Sequence, residues 1–401
     1  MPPMDASPLP TIDIESLGLA EGALLLIRRA LAEVPAGGVL RVRGRAPDWA
    51  LHLAAWCRQQ GHGLQPCEAH EALVTRGAQA DGRWRGAQAA AGDTPGLPAD
   101  EALPGWGLAA RGATVEAGSP PFAFALRRRR ELWAATAGEL YRQAAAAQWD
   151  PATAIDWDAP FDLPDAIEDA VVQVMTYLIE NENAALLVPA RHLGQIHPHF
   201  REVLQLLALQ CADEARHVEV FTRRAQLRGR SPGLSTAGGQ ASLQTLFQAP
   251  DFSIATFLLA VLGEGSFVNL LNFLQAHAPD PVTAQVCRLA ARDEARHVAF
   301  GMAHLEYRLE EEPDFQVRLA NAIETRYDQL AATSGLNEEV FDALVLIAAG
   351  ALTPAAVARG HAAVQQLQRD MAAGRRARLA RLGFARDEAE RLSALHTRNF
   401  M

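Results

Sequence analysis

The sequence predicts a mainly α protein, a helical bundle preceded by a small N-terminal α/β sandwich. Three observations carry that expectation. From about residue 126 onward, apolar-periodic segments long enough to cross a bundle follow one another with no strand-like run between them. Residues 9 to about 77 instead alternate short strand-like and helix-like patterns. Finally, Asp-Glu-Ala-Arg-His-Val is spelled twice, at 213–218 and again at 293–298, too long a repeat for two unrelated surface helices.

In chain order, "TIDI" reads as a strand and "AEGALLLIRRALAEV" as a helix whose Leu24, Ile27, Leu31 and Val34 share one face. "GVLRVRG" reads as a second strand and "DWALHLAAWCRQQG" as a second helix, which completes a domain over 1–77. Residues 78–125 turn rich in Gly, Ala and Pro and read as an irregular linker. The bundle is expected over 126–401. It begins with a helix over "RRRRELWAATAGELYRQAAAAQ", whose basic start, Arg127 to Arg130, reads as solvated. Four core helices follow, at about 165–193, 200–227, 254–277 and 281–311, and the helices after Pro313 are expected to pack outside them.

Composition limits the function classes. A chain of 401 residues with 49% hydrophobic and 21% charged residues can bury a large core. The net charge of -10 argues against nucleic acid, which needs clustered Lys and Arg. The run "IATFLLAVLG" is about half a membrane span, and the N-terminus lacks a basic-then-apolar signal, so no membrane association and a cytoplasmic location are expected. Cys57, Cys67, Cys211 and Cys287 show no CxxC spacing, which excludes a zinc ribbon and leaves reduced thiols, with Cys57 a small packed hydrophobe.

The repeated motif points to metal. Residues i and i+3 lie side by side on a helix, so Glu214 with His217 and Glu294 with His297 each pair a carboxylate with an imidazole. Two further carboxylates complete the set. Glu264 interrupts "FLLAVLGEGSFVNLL", where burying it ionised costs several kcal/mol unless a cation or hydrogen bonds compensate. It stands 30 positions before Glu294, room for a helix, a turn and a return to the same depth. In the first half Glu182, 32 positions before Glu214, is favoured, with Glu180 as the alternative ligand. Asp213, Arg216, Asp293 and Arg296 are expected around the ligands, the aspartates accepting histidine N–H groups and the arginines bracing them. The plain reading of the same four residues is i to i+3 salt bridges on a duplicated solvated helix, which leaves Glu264 unexplained. His192, His197 and His199 read as loop residues capping the bundle, and Trp149 and Trp157 as anchors without assigned chemistry.

With these residues in place, 130–310 resembles the ferritin-like dimetal-carboxylate superfamily of oxygenases, desaturases, ribonucleotide reductase small subunits and ligand-binding oxidases. The resemblance implies a ferritin-like bundle that holds two Fe ions, or a Mn/Fe pair, with O2 as co-substrate. It also separates the members. Reductase subunits carry a radical tyrosine where this chain has Phe221, and the ligand-binding oxidases crosslink a valine and a tyrosine where Ala184 and Leu259 or Ala260 stand. Iron storage requires a shorter, shell-forming chain. The expected function is therefore O2 activation to oxidise a small organic substrate, with Leu178, Phe221, Leu258 and Leu262 as candidate pocket walls. An R2-like ligand-binding oxidase and a non-catalytic metal-binding interaction protein are the alternatives; a metal-dependent hydrolase fits less well, since four carboxylates leave the metals electron-rich.

The stretch "LAEVPAGGVLRVRGRAPDWALHLAAWCRQQGHGL" is similar to sulfur carriers of the TusA type. That family carries its persulfide on a Cys-Pro pair at the start of the first helix, and here Ala20 and Glu21 stand there. What the resemblance implies is a recruiting module for an electron-donor or carrier protein. A homodimer is the other partner expectation.

Overall fold

The computed structural model describes residues 8–68, 70–78, 84–94, 96–331 and 338–395. The chain divides into two compact units, one of residues 1–90 with 112–120, the other of 91–111 with 121–401.

In the first unit, β1 (Thr11–Asp13), α1 (Ala23–Ala32), β2 (Val39–Arg43), α2 (Trp49–Gln60), β3 (Gly63–Glu68) and β4 (Glu71–Thr75) form a sheet of order β1-β2-β4-β3. β1 lies parallel to β2 because α1 makes the crossover between them. Alternation puts Leu40, Val42, Ala72 and Val74 into a core with Ile27, Leu31 and Leu53, while Arg41 and Arg43 pair with Glu71 on the other face. α2 stops at Gly61, whose φ of 71° supplies the left-handed turn of a helix end. The β3–β4 hairpin was not predicted. Ala20 and Glu21 sit in a short 3₁₀ turn before α1. Burial pushes the Cys57 thiol up to about 11, away from the reactive thiolate; the side chain of Cys67 lies outside the described residues. β5 (Gln88–Ala89) and β6 (Thr114–Val115) form a separate two-residue ladder.

Among its described residues the stretch read as a linker is mostly irregular, but it is no free spacer. In the second unit Ala102 and Trp106 are buried, and Arg111 is clamped to Glu202 and the carbonyl of His199. The basic run does not begin the long helix expected of it and ends in a single 3₁₀ turn, Arg129–Glu131. Arg127 pairs with Glu101, and Arg129 donates to the Pro98 carbonyl and to Tyr307, so contacts to 98–101 take the place of solvent and the helix α3 forms only over Ala137–Ala146.

The four core helices are α4 (Asp165–Leu193), α5 (Arg201–Gln226), α7 (Phe252–His277) and α8 (Pro281–Glu311). α6 (Ala237–Phe247) links the two halves; its Gly238 and Gly239 hide it from periodicity, and the Thr236 hydroxyl caps it. Asp251 and Asp280 cap α7 and α8, the latter with Pro281 as its first residue, where no N–H is needed. α9 (Phe315–Ala331), α10 (Glu338–Ala349), α11 (Pro354–Arg381) and α12 (Arg386–Ala394) pack outside, with α10 on α4 and α11 on α7.

The apolar α7 is longer than the run that drew notice in the sequence. It is long and apolar enough to cross a membrane, yet 89% of its apolar window is buried among the other helices. Its residues Phe257–Glu264 wind as a π-helix, a rare form concentrated at functional sites. α8 approaches this segment closely at Gly301, where an added Cβ would lie 2.8 Å from Ala260 Cβ and 3.2 Å from Val261 Cγ2. Gly301→Ala is therefore expected to cost about 1–3 kcal/mol by overpacking, read as a lower unfolding midpoint in urea.

Candidate metal centre

Glu182 projects from α4, Glu214 and His217 from α5, Glu264 from the end of the π segment, and Glu294 and His297 from α8. All six are between 0% and 4% exposed. Their donor atoms form two overlapping groups, Glu182, Glu214, His217 and Glu294 in one and Glu214, Glu264, Glu294 and His297 in the other, with the atoms of each group within 4.8 Å of one another. Glu214 and Glu294 belong to both. Glu180, by contrast, lines a groove with Asn183, Gln240 and Gln244 on the side of α6.

The donors are unspent. Glu182 Oε1, Glu214 Oε1, Glu264 Oε2, both carboxylate oxygens of Glu294 and His297 Nδ1 are buried without a hydrogen-bond partner. His297 Nδ1 comes within 3.0 Å of Glu214 Oε1 but out of line for a hydrogen bond. Orphaned buried polar atoms are costly, and so many converging on one point need a common partner. A pair of cations fits them. Burial, then the charge of Glu294, holds Glu182 and Glu264 well above the usual carboxylate range. Burial opposes charge on Glu214 too, but the charge of His297 and the hydrogen bond from His217 hold it below that range.

Behind the six lies a crossed brace. His217 Nε2 is 3.2 Å from Asp293 Oδ2 and His297 Nε2 is 3.3 Å from Asp213 Oδ2, so each aspartate serves the histidine of the other repeat. With Nε2 tied to a carboxylate, Nδ1 is the nitrogen left facing the cluster. Arg216 binds Asp213 and, at 3.1 Å, Asp293, while Arg296 binds Asp293 and approaches Asp213 at 3.6 Å. Burial works against both charged aspartates, and their histidine partners hold them below the ordinary range.

Three participants escaped the sequence reading. Gln210 donates to Glu264 Oε1 at 3.1 Å; one turn before Glu214 in an apolar stretch, it left a signal. Gln148 donates to Asp213 at 2.8 Å and accepts from Arg216, and Trp149 donates its Nε1–H to Asp293 at 2.8 Å. The Trp149 ring also lies 4.6 Å from the Arg216 guanidinium. Gln148 carries no local signal and Trp149 only that of an aromatic anchor, because only the tertiary placement of the chain after α3 brings them to the aspartates. Trp157 instead donates to the Pro151 carbonyl and stacks under Arg223. Among the described residues His197 and His199 join no metal group: His197 caps the turn ahead of α5, and His199 accepts from the Ala99 N–H. Phe221, Leu178 and Leu262 are buried in the core, and Leu258, with Ile254, lines a cavity of about 270 Å³ whose other walls include Thr245, Asn321, Arg318 and Arg326.

Glu182→Gln is expected to lower metal content, whereas Glu180→Gln, facing α6, leaves it unchanged. Elemental analysis of the two proteins checks this, and the reverse result moves the ligand by two residues.

No family model matches this chain, and no curated protein is similar to it in sequence. Its likenesses are to solved structures. A variant of an R2-like ligand-binding oxidase with an aerobically reconstituted Mn/Fe cofactor aligns at TM-score 0.49 and 17% identity, over 62% of this chain and 94% of that one. Another variant, with an anaerobically reconstituted Mn/Fe cofactor, aligns at TM-score 0.46 and 17% identity, over 61% and 93%. An R2-like ligand-binding oxidase with aerobically reconstituted metal cofactor after photoconversion aligns at TM-score 0.44 and 18% identity, over 64% and 89%.

Proposed function

We propose that this chain is a dimetal oxidoreductase that uses O2 to oxidise a small organic substrate. The observation that carries the reading is the pair of donor groups that share Glu214 and Glu294. Glu182 and His217 would hold one ion, Glu264 and His297 the other, with Glu214 and Glu294 reaching both. A Glu from each of two helices, with Glu-x-x-His from each of the other two, is the donor set of ferritin-like dimetal bundles. Carboxylate with imidazole suits iron or manganese, so the ions are two Fe or a Mn/Fe pair. Such a pair, once bound, supplies electrons to dioxygen and an oxidant to the substrate.

The protein's own residues prepare that chemistry. Asp293 and Asp213 hold the Nε2 protons of His217 and His297, which keeps the Nδ1 lone pairs on the inner side. Gln210 fixes one oxygen of Glu264 and leaves Oε2 free to bind. Phe221, its ring 6.3 Å from that of His217, excludes water on one side of the donors. The cavity at Leu258, six residues before Glu264 on the same helix, offers space for a small substrate.

Anaerobic loading with ferrous iron followed by exposure to air tests the reading. The expected result is rapid O2 consumption in proportion to bound iron, with a transient visible absorption. Metal binding without O2 uptake points instead to a structural site in an interaction protein.

A further inference from the structure

Away from the carboxylate cluster, α11 carries two arginines that have no counter-charge among the described residues. Arg375 is 2% exposed; among the described residues its Nε has no hydrogen-bond partner, and its one side-chain hydrogen bond is a long one, 3.4 Å from Nη1 to Ser266 Oγ. Arg378 lies one turn on. Its Nε and Nη2 are buried without a partner, and among the described residues no carboxylate pairs with either guanidinium. Two other buried arginines of the bundle behave differently: Arg216 and Arg224 each bind two carboxylates. Even the more exposed neighbours on α11, Arg376 and Arg381, have Glu390 and Glu306.

The guanidinium of Arg378 has a seat built for it. A Cβ on Gly265 of α7 would fall 2.5 Å from its Cζ and 2.6 Å from its Nε, and one on Gly374 of α11 would fall 3.1 Å from Nη1. Two glycines inside helices, each unfavourable there, thus make room for one flat cation whose donors remain unused. Burying unpaired cations is costly, and a guanidinium edge is shaped to hold two oxygens of one anion. Asn269, Gly374 and Arg378 are partly exposed, so the place can be reached from solvent. We propose that Arg375, braced on the Ser266 hydroxyl, and Arg378 form a binding site for a small oxyanion, a phosphate or a carboxylate group.

The site is distinct from the metal centre. Ser266 follows Glu264 by two residues, about 200° around a regular helix, so it faces α11 from the far side of α7. Burial, followed by the neighbouring arginine charges, pulls Arg375 down to about 10, and burial does the same to Arg378, in keeping with two cations that lack an anion.

Calorimetric titration of the full-length, metal-loaded protein with sodium phosphate, acetate and octanoate, in chloride at matched ionic strength, tests the proposal. At least one is expected to bind saturably, one per chain. Arg375→Met and Arg378→Met are each expected to weaken it about tenfold or more. Gly265→Ala keeps both charges but fills the seat, and is expected to weaken it too. Preference for phosphate identifies a free inorganic anion, and preference for octanoate an organic acid. Absence of saturable binding by all three anions, or affinity unchanged in all three variants, overturns the site.

Discussion

Glu294→Ala is expected to empty the metal centre, whereas His217→Ala is expected to remove one ion and keep the other. The asymmetry follows from membership in the two donor groups. Glu294 belongs to both, so its loss leaves each ion short of a donor and removes a link between them. His217 belongs to one, and Glu214, Glu264, Glu294 and His297 stay complete without it. Loss of a residue that merely orients a ligand already weakens metal binding about 10–100-fold, so loss of a shared ligand is the larger effect. Elemental analysis after growth in iron-replete and manganese-replete media measures it, with far-ultraviolet circular dichroism to show that the helices persist. One tightly held ion per chain in Glu294→Ala, or two in His217→Ala, contradicts the shared-ligand arrangement.

What could be read from the sequence was what helical spacing encodes. The bounds of α4 and α8 follow from helical periodicity between Pro164 and Gly194, carried past the internal Pro189, and between Pro281 and Pro313. The six cluster residues follow from i to i+3 pairing and from a carboxylate, Glu264, set in an apolar helix. The unread features depend on contacts between helices. Spacing shows that Asp213 and His217 share a helix face, but not that Asp213 reaches across to His297. The π winding of Phe257–Glu264 is a backbone choice that the side-chain pattern of α7 does not reveal. Arg127 to Arg130 has the composition of a long helix start, but with partners on residues 98–101 it forms only an extended pair, Arg127 and Arg128, and a 3₁₀ turn over Arg129–Glu131. Gln148 and Trp149, in a stretch of alanines, acquire their role only when the aspartates arrive beside them.

Arg224→Met is expected to cost about 3–5 kcal/mol of stability, because it breaks the most completely buried charge network in the bundle. The guanidinium is fully enclosed and binds Glu168 of α4 through both oxygens, at 2.8 and 3.0 Å. It also donates to Asp280, the cap of α8, at 2.7 Å and to Thr283 at 2.8 Å. One side chain thus ties α5 to two other core helices. Removing it leaves two carboxylates in a dry interior with no cation between them, which costs more than the lost hydrogen bonds alone. The triple variant Arg224→Met with Glu168→Met and Asp280→Asn is expected to recover most of the loss, since no charge is then stranded and asparagine still caps α8. Urea unfolding of the metal-free proteins measures both. Arg224 lies seven residues beyond His217, about 10 Å along the helix, and none of the cluster residues binds it. Metal content in native buffer should therefore stay near that of the unsubstituted protein, and a loss of both ions from a still-helical Arg224→Met would mean that this network also sets the spacing of α4, α5 and α8 at the donors.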